Sequence, residues 1–193
     1  MNVIIIDFGA GNIQSIQFAF QRLGVHAKLS NSVDEILKAD KVIFPGVGEA
    51  SQAMRMLKKS KLDLLIPNLK QDVLGICLGM QLLCNHSEEG DTQGLGIFDV
   101  DVKRFSDAVK VPHMGWNTIQ NLQSGLLMGI PENSYMYSVH SYYANTGNQT
   151  IACSQYEHEF SAALQSDNFY GVQFHPEKSS KDGAQLLQNF LNL

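Results

Sequence analysis

The run Gly75-Ile76-Cys77-Leu78-Gly79 has the form G-x-C-x-G and is the sharpest chemical signal in the chain. It follows the apolar Val73-Leu74 and precedes Met80-Gln81-Leu82-Leu83, so it reads as a turn between a strand and a helix. This is the thiol counterpart of the nucleophile elbow, in which a tight turn presents the nucleophile and flanking glycines relieve the crowding. Such a turn also sets the sulfur near a helix N-terminus, whose free N–H groups favour a thiolate. An unperturbed cysteine has a pKa of about 8.5 and is only a few per cent ionised at neutral pH, so a base is required. A lone cysteine is more often a small buried hydrophobe. The glycine frame sets Cys77 apart from Cys84, expected on the same helical face as a core residue, and from Cys153 in a strand-like run.

The base is expected in Phe174-His175-Pro176-Glu177. Residues two apart in extended backbone face the same side, and proline disfavours helical backbone at the residue before it. His175 and Glu177 are thus predisposed to lie side by side, with the carboxylate fixing the imidazole tautomer and stabilising its charged form. The alternative is a surface histidine and a solvated glutamate after an edge strand; with six histidines in the chain, chance pairing has weight.

The surrounding elements must bring these groups together. Val3 to Ile6 is a continuous apolar run, as in a strand covered on both faces. Ile13, Ile16, Phe20 and Leu23 recur at helical spacing, with Gly24 as a stop. A strand follows at His26 to Leu29, then a capping box at Ser32-Val33-Asp34-Glu35. Val42 to Phe44 is a further strand, ending at Pro45-Gly46-Val47-Gly48; Leu62, Leu65, Ile66 and Leu69 mark a helix. Alternating strands and helices predict a parallel, helix-covered sheet with its site at the carboxyl ends of the strands. From about Gly96 several short strands follow, at Phe98 to Val102, Tyr135 to Val139, Ile151 to Ser154, Phe160 to Leu164 and Tyr170 to Phe174, which suggests an antiparallel portion. The tail, with Leu186, Leu187, Phe190 and Leu191, closes as an amphipathic helix. The 193 residues are expected to form a single α/β domain with a mixed, mainly parallel sheet.

Composition narrows the class. A net charge of -5 argues against a nucleic-acid or anionic-membrane surface as the main partner. Three cysteines at irregular spacing, with no metal-ligand pattern, fit reduced thiols in a cytoplasmic protein with neither metal nor cofactor. No secretory pattern opens the chain and no apolar run is long enough for a membrane span.

Pro45-Gly46-Val47-Gly48, Gly75-Ile76-Cys77-Leu78-Gly79-Met80-Gln81 and His175-Pro176-Glu177 together resemble, in order, the three signatures of class I, triad-type glutamine amidotransferases. Asp7-Phe8-Gly9-Ala10-Gly11-Asn12, Pro112-His113-Met114-Gly115-Trp116-Asn117, Val139-His140-Ser141-Tyr142 and Lys178-Ser179-Ser180 narrow the resemblance to the HisH family, the glutaminase subunits of imidazole glycerol phosphate synthase. The resemblance spans nearly the whole chain. It implies a flavodoxin-like sheet, glutamine hydrolysis at Cys77, His175 and Glu177, and a heterodimer with a (β/α)8-barrel cyclase that receives the ammonia. It implies oxyanion donors at Leu78 and at Val47 or Gly48, and glutamine contacts at Gly46, Gln81, Glu89, Ser141 and Tyr142. Glu88 adjoins Glu89, so that position has two readings. It further implies a docking face with Asn12, Trp116, Tyr137 and Lys178; Trp116, in what reads as a Gly-containing loop, suits an interface anchor. Many relatives carry an aromatic two residues after the glycine-rich loop, where this chain has Ala50. Competing readings are an amidotransferase of another pathway, such as pyridoxal phosphate synthesis, a catalytically silent binding subunit, and a stand-alone cysteine hydrolase. The Pro-His-Met-Gly-Trp-Asn run weighs against the first and the intact triad residues against the second.

Overall fold

Residues 1–9 and 13–193 are described by the structure, a computed structural model. Its elements in chain order are β1 (Val3–Ile6), α1 (Ile13–Arg22), β2 (Ala27–Ser30), α2 (Val33–Leu37), β3 (Lys41–Phe44), α3 (Ala50–Ser60), α4 (Leu62–Leu65), β4 (Asp72–Ile76), α5 (Leu78–Leu83) and β5 (Cys84–Ser87). There follow β6 (Thr92–Gln93), β7 (Phe98–Arg104), β8 (His113–Thr118), β9 (Tyr135–His140), β10 (Tyr142–Ala144), β11 (Thr150–Gln155), β12 (Glu159–Ser166), β13 (Phe169–Val172) and α6 (Ser180–Asn192).

Seven strands form the central sheet in the order β11-β12-β13-β4-β3-β1-β2. The pairs from β2 through β13 are parallel, and β12 and β11 add an antiparallel edge. The apolar runs are buried on both faces because alternate side chains enter different cores. Val3, Ile5, Ile43, Leu74, Ile76 and Val172 pack with α1 and α6 through Ile16, Phe20, Leu186 and Phe190. Ile4, Ile6, Val42, Phe44 and Val73 pack with α3 and α5 through Met54, Leu57, Met80 and Leu83. The fold is thus the expected mixed, mainly parallel α/β sheet. The antiparallel half is more divided than the sequence suggested: β10-β7-β5-β6 and β8-β9 are separate sheets, while β13 joins the parallel set beside β4.

Three local expectations are corrected, and one helix is added. The helix read from Leu62 to Leu69 is only α4 followed by a 3-10 turn at Ile66–Asn68, because Pro67 lacks the N–H that would continue it. The main helix is α3, whose buried stripe of Ala50, Ala53, Met54 and Leu57 is half alanine and gives little hydrophobic signal. Cys84 opens β5 rather than extending the helix, although it is buried as expected. The Ser32 hydroxyl caps Glu35 N at 3.5 Å, but the reciprocal half of the capping box is missing: Ser30 Oγ accepts from Ser32 N, and Glu35 pairs with Lys28.

Candidate active site

The site forms where three adjacent parallel strands end. β4 lies between β3 and β13, so Cys77 emerges with the 45–48 loop on one side and the 173–177 segment on the other. Cys77 N–H donates to Val172 O at 2.8 Å, tying the turn to β13. Its backbone, at φ 53 and ψ -112, is in a region L-residues rarely adopt, the strain a nucleophile elbow stores. Glycine is required on both sides. A Cβ on Gly79 would overlap the Phe44 carbonyl oxygen, and one on Gly75 would come within 2.9 Å of Met80 N. Close approach thus lets α5 start against β3 and β4. As the first residue of α5, Leu78 has no intrahelical acceptor for its N–H.

Cys77 and His175 open into one cavity of about 390 Å³, with Val47, Gly48, Leu78, Gln81, Glu89, Pro112, Val139, His140, Ser141, Tyr142 and Lys178. Glu177 stands behind the imidazole, its Oε1 at 2.9 Å from His175 Nδ1. His175 itself is extended, but Glu177 lies in a 3-10 turn at Pro176–Lys178, so the pairing is not the strand-like one expected from the spacing. Nδ1 is thereby committed, leaving Nε2 for the sulfur. Burial lowers the pKa of His175, but hydrogen bonds to Cys77 and Glu177 and their charges outweigh it and raise it to about 10. The ring is therefore an imidazolium at neutral pH. Among the described residues, the second oxygen of Glu177 is buried with no hydrogen-bond partner.

The backbone of His175 is clamped to β9. Its N–H donates to Tyr137 O at 2.8 Å; Ser179 Oγ donates to His175 O at 2.6 Å and accepts from Tyr137 N at 2.9 Å. Cys77 Sγ lies 3.8 Å from Val139 O, to which a thiol donates, and Gln173 Nε2 donates to the sulfur at 3.7 Å. Burial pushes the thiols of Cys84 and Cys153 up, which disfavours both as nucleophiles.

Of the residues expected to contact glutamine, Gln81, Glu89, Ser141 and Tyr142 line the cavity and Gly46 does not. Gly46 is buried beneath it, where a Cβ would stand 2.6 Å from Gly79 N; its smallness lets the loop close on α5. The Gln81 amide nitrogen donates to Tyr142 O and Gln173 Oε1, each at 2.8 Å. Residues 88 and 89 differ in position: Glu89 lines the cavity and accepts from Ala50 N at 2.8 Å, whereas Glu88 accepts from Arg104 N and pairs with Lys103. Burial raises the Glu89 pKa. Ala50 is fully buried at the start of α3, so this chain has no room at that point for an aromatic without repacking.

His140 is the other histidine of the cavity, and both its nitrogens are engaged. Nδ1 bonds Tyr142 O at 2.8 Å and Nε2 meets His113 Nδ1 at 3.2 Å. Burial first, then the charges of His113 and His175, push it down to about 3. It is a neutral prop for the Ser141-Tyr142 backbone. Trp116 and Tyr137 lie outside the cavity on paired positions of β8 and β9. Trp116 is thus on a strand, not in a loop, because Gly115 at φ 136 continues the ladder opposite Ser138. The indole is nonetheless 51% exposed, since this two-stranded sheet presents one face outward. Lys178 lies over the Tyr137 ring at 5.9 Å. Asn12 lies outside the described residues.

An elbow cysteine, an imidazolium–carboxylate pair and a glycine loop at the ends of adjoining parallel strands define a class I glutamine amidotransferase. The family model Glutamine amidotransferase class-I matches residues 4–193. The chain is 54% identical to the imidazole glycerol phosphate synthase subunit HisH of Bacteroides thetaiotaomicron, covering all of both chains. It is 46% identical to the subunit of that name from Haemophilus influenzae, over 99% of this chain and 97% of the other. The protein belongs to this HisH family. Among solved structures, a glutamine amidotransferase superposes with a TM-score of 0.74 at 17% identity, over 99% of this chain and 98% of that one. At such identity the likeness speaks for the fold alone.

Proposed function

We propose that this chain, as one domain, is the glutaminase subunit of an imidazole glycerol phosphate synthase. It hydrolyses L-glutamine to glutamate and ammonia and passes the ammonia to a (β/α)8-barrel cyclase subunit. The cyclase uses it to form imidazole glycerol phosphate and aminoimidazole carboxamide ribonucleotide in histidine biosynthesis. The observation that carries the reading is the shared cavity of Cys77 and His175, with Glu177 behind the ring.

In this mechanism the Cys77 thiolate attacks the side-chain amide carbon of glutamine. The negative charge that develops on oxygen is met by the Leu78 N–H and by an N–H of Val47 or Gly48. The His175 imidazolium gives its proton to the amide nitrogen and ammonia leaves, with a γ-glutamyl thioester on Cys77. Neutral His175 then takes a proton from water, which attacks the thioester and releases glutamate. Glu177 holds the ring and balances its charge. Gln81, Glu89, Ser141 and Tyr142 enclose the rest of glutamine.

Docking of the cyclase against β8 and β9 is supported by Met114, Trp116 and Tyr135, each more than half exposed on the outward face. A cytoplasmic setting fits this pathway, and no described helix is long and apolar enough to cross a membrane. The test is Cys77→Ala, assayed with the cyclase. Glutamine-dependent turnover should vanish while ammonia-dependent turnover persists, and a glutamine-derived electrophile should label Cys77 but neither Cys84 nor Cys153. Residual glutamine-dependent turnover in the variant would overturn the assignment.

A further inference from the structure

The triad leaves one buried polar side chain against the sulfur without a role. Gln173 is 1% exposed and lies in the bend that follows β13, two residues before His175, with its N–H donating to Ala162 O at 2.9 Å. Its Nε2 donates to Cys77 Sγ at 3.7 Å, and its Oε1 accepts from Gln81 Nε2 at 2.8 Å. The orientation of this amide is determined. Gln81 Nε2 also donates to Tyr142 O at 2.8 Å, and a carbonyl can only accept, so the Gln81 nitrogen must face this way. Its second hydrogen then reaches Gln173 Oε1, which turns the Gln173 nitrogen toward the sulfur. His140 Nδ1 at 2.8 Å from Tyr142 O adds a second donor to the same carbonyl.

We propose that Gln173 is a functional residue of the thiol site: its amide N–H holds the Cys77 sulfur and favours its anionic form, and Gln81 is the positioning residue that keeps that N–H aimed. The Val139 carbonyl opposes it, since an acceptor at 3.8 Å favours the protonated thiol. As the proton leaves sulfur, the Val139 contact weakens and the Gln173 contact strengthens, because a hydrogen bond to an ionised acceptor is about twice as strong as a neutral one. Gln173 therefore acts on the nucleophile rather than on glutamine. The inference deepens the glutaminase reading and rests on it.

The test is Gln173→Met, which keeps an unbranched side chain of similar length and removes the donor. Alkylation of Cys77 by iodoacetamide at neutral pH, followed by mass spectrometry on the whole chain, should slow about 10-fold, as expected for one lost hydrogen bond to a charged group. With the cyclase present, kcat for glutamine should fall by a similar factor with KM little changed. Gln81→Met should also slow alkylation, although residue 81 does not touch the sulfur. The double variant should be no slower than Gln173→Met alone, because the two side chains act in series. Gln173→Glu, which keeps the shape but presents only acceptors to sulfur, should be slower still. A folded Gln173→Met or Gln173→Glu protein whose Cys77 alkylates at the wild-type rate overturns the proposal, as does full additivity of the two methionine variants. Alkylation reports on the sulfur alone, so it stays informative if the glutaminase reading fails; that failure would show as a wild-type complex with no glutamine-dependent turnover.

Discussion

At Cys77 and His175 two opposed influences act on neighbouring atoms. Burial alone would discharge the imidazole, yet Cys77 and Glu177 hold its pKa at about 10, against an ordinary 6.5. Because the folded value is raised, the contribution to stability is complete below about 6.5 and is lost as pH rises through about 10. The same sign governs the reaction, since the proton that leaves with ammonia comes from this ring. Glutamine-dependent kcat should therefore persist through mildly alkaline pH and fall as pH approaches about 10. A pH–rate profile with the cyclase present checks this, and a limb already falling near 7 would mean that the ring is not charged in the complex. His175→Ala should lose nearly as much as Cys77→Ala in that assay, since members of a triad act as a unit. The types of these residues were legible in the sequence because each lies in a short motif whose spacing carries its own geometry. Gln173 has the same kind of spacing, two residues before His175 just past the end of β13, but an amide side chain carries no nucleophile or base that would mark it. The engagement of His140 was not legible, because its partners His113 and Tyr142 belong to β8 and β10 and only the tertiary fold brings them together.

Elements place these side chains by close approach at the ends of β3, β4 and β13. The parallel core was legible mainly because β1, β3 and β4 carry the apolar runs Val3 to Ile6, Val42 to Phe44 and Val73-Leu74, bounded by glycine, proline or polar residues. Less legible was α3, whose alanine-rich buried stripe gives weak periodicity, and so was the strand carrying Trp116, where Gly115 mimics a loop. The clamp on His175 had no sequence signal, since Tyr137 and Ser179 are 42 residues apart. Ser179 is 1% exposed, and its hydroxyl bridges the His175 carbonyl and the Tyr137 N–H. Ser179→Ala leaves both groups without that partner, which should cost about 2 kcal/mol of stability in urea unfolding. The freed 3-10 turn should let the His175 ring wander, so glutamine-dependent kcat should fall about 10-fold, the expected effect of a sub-ångström misplacement. Ser179→Thr keeps the hydroxyl and should recover most of the loss. An alanine variant with wild-type stability and turnover would show that the ring is held by Glu177 alone.

On the scale of the whole molecule, a free glutaminase wastes glutamine, and ammonia released to neutral water is mostly protonated and no longer a nucleophile. Both argue for a site that works when docked and for ammonia that passes between subunits out of bulk water. The outward face of β8 and β9 has the character of such a contact. Trp116 stands opposite Tyr137, their rings edge to face at 6.0 Å, with Met114 and Tyr135 flanking and Lys178 over Tyr137. Lys178 also lines the cavity that holds Cys77, and it shares a second hollow with Trp116, Arg22 and Lys181. The same residue therefore borders both the cavity of Cys77 and the proposed docking face. Exposed indoles in such positions are frequent energetic anchors, worth about 2 kcal/mol or more when truncated. Trp116 is half exposed on an outward strand face, so Trp116→Ala should cost less in urea unfolding than in binding to the cyclase. Binding to the cyclase should weaken about 30-fold, the equivalent of that energy. Glutamine-dependent synthesis at limiting subunit concentration should fall with it, while ammonia-dependent synthesis, which bypasses this chain, should not. Titrating the variant against the cyclase with both nitrogen sources separates these effects. Wild-type affinity together with wild-type glutamine-dependent turnover would remove Trp116 from the interface and send the search for the docking face elsewhere on the molecule.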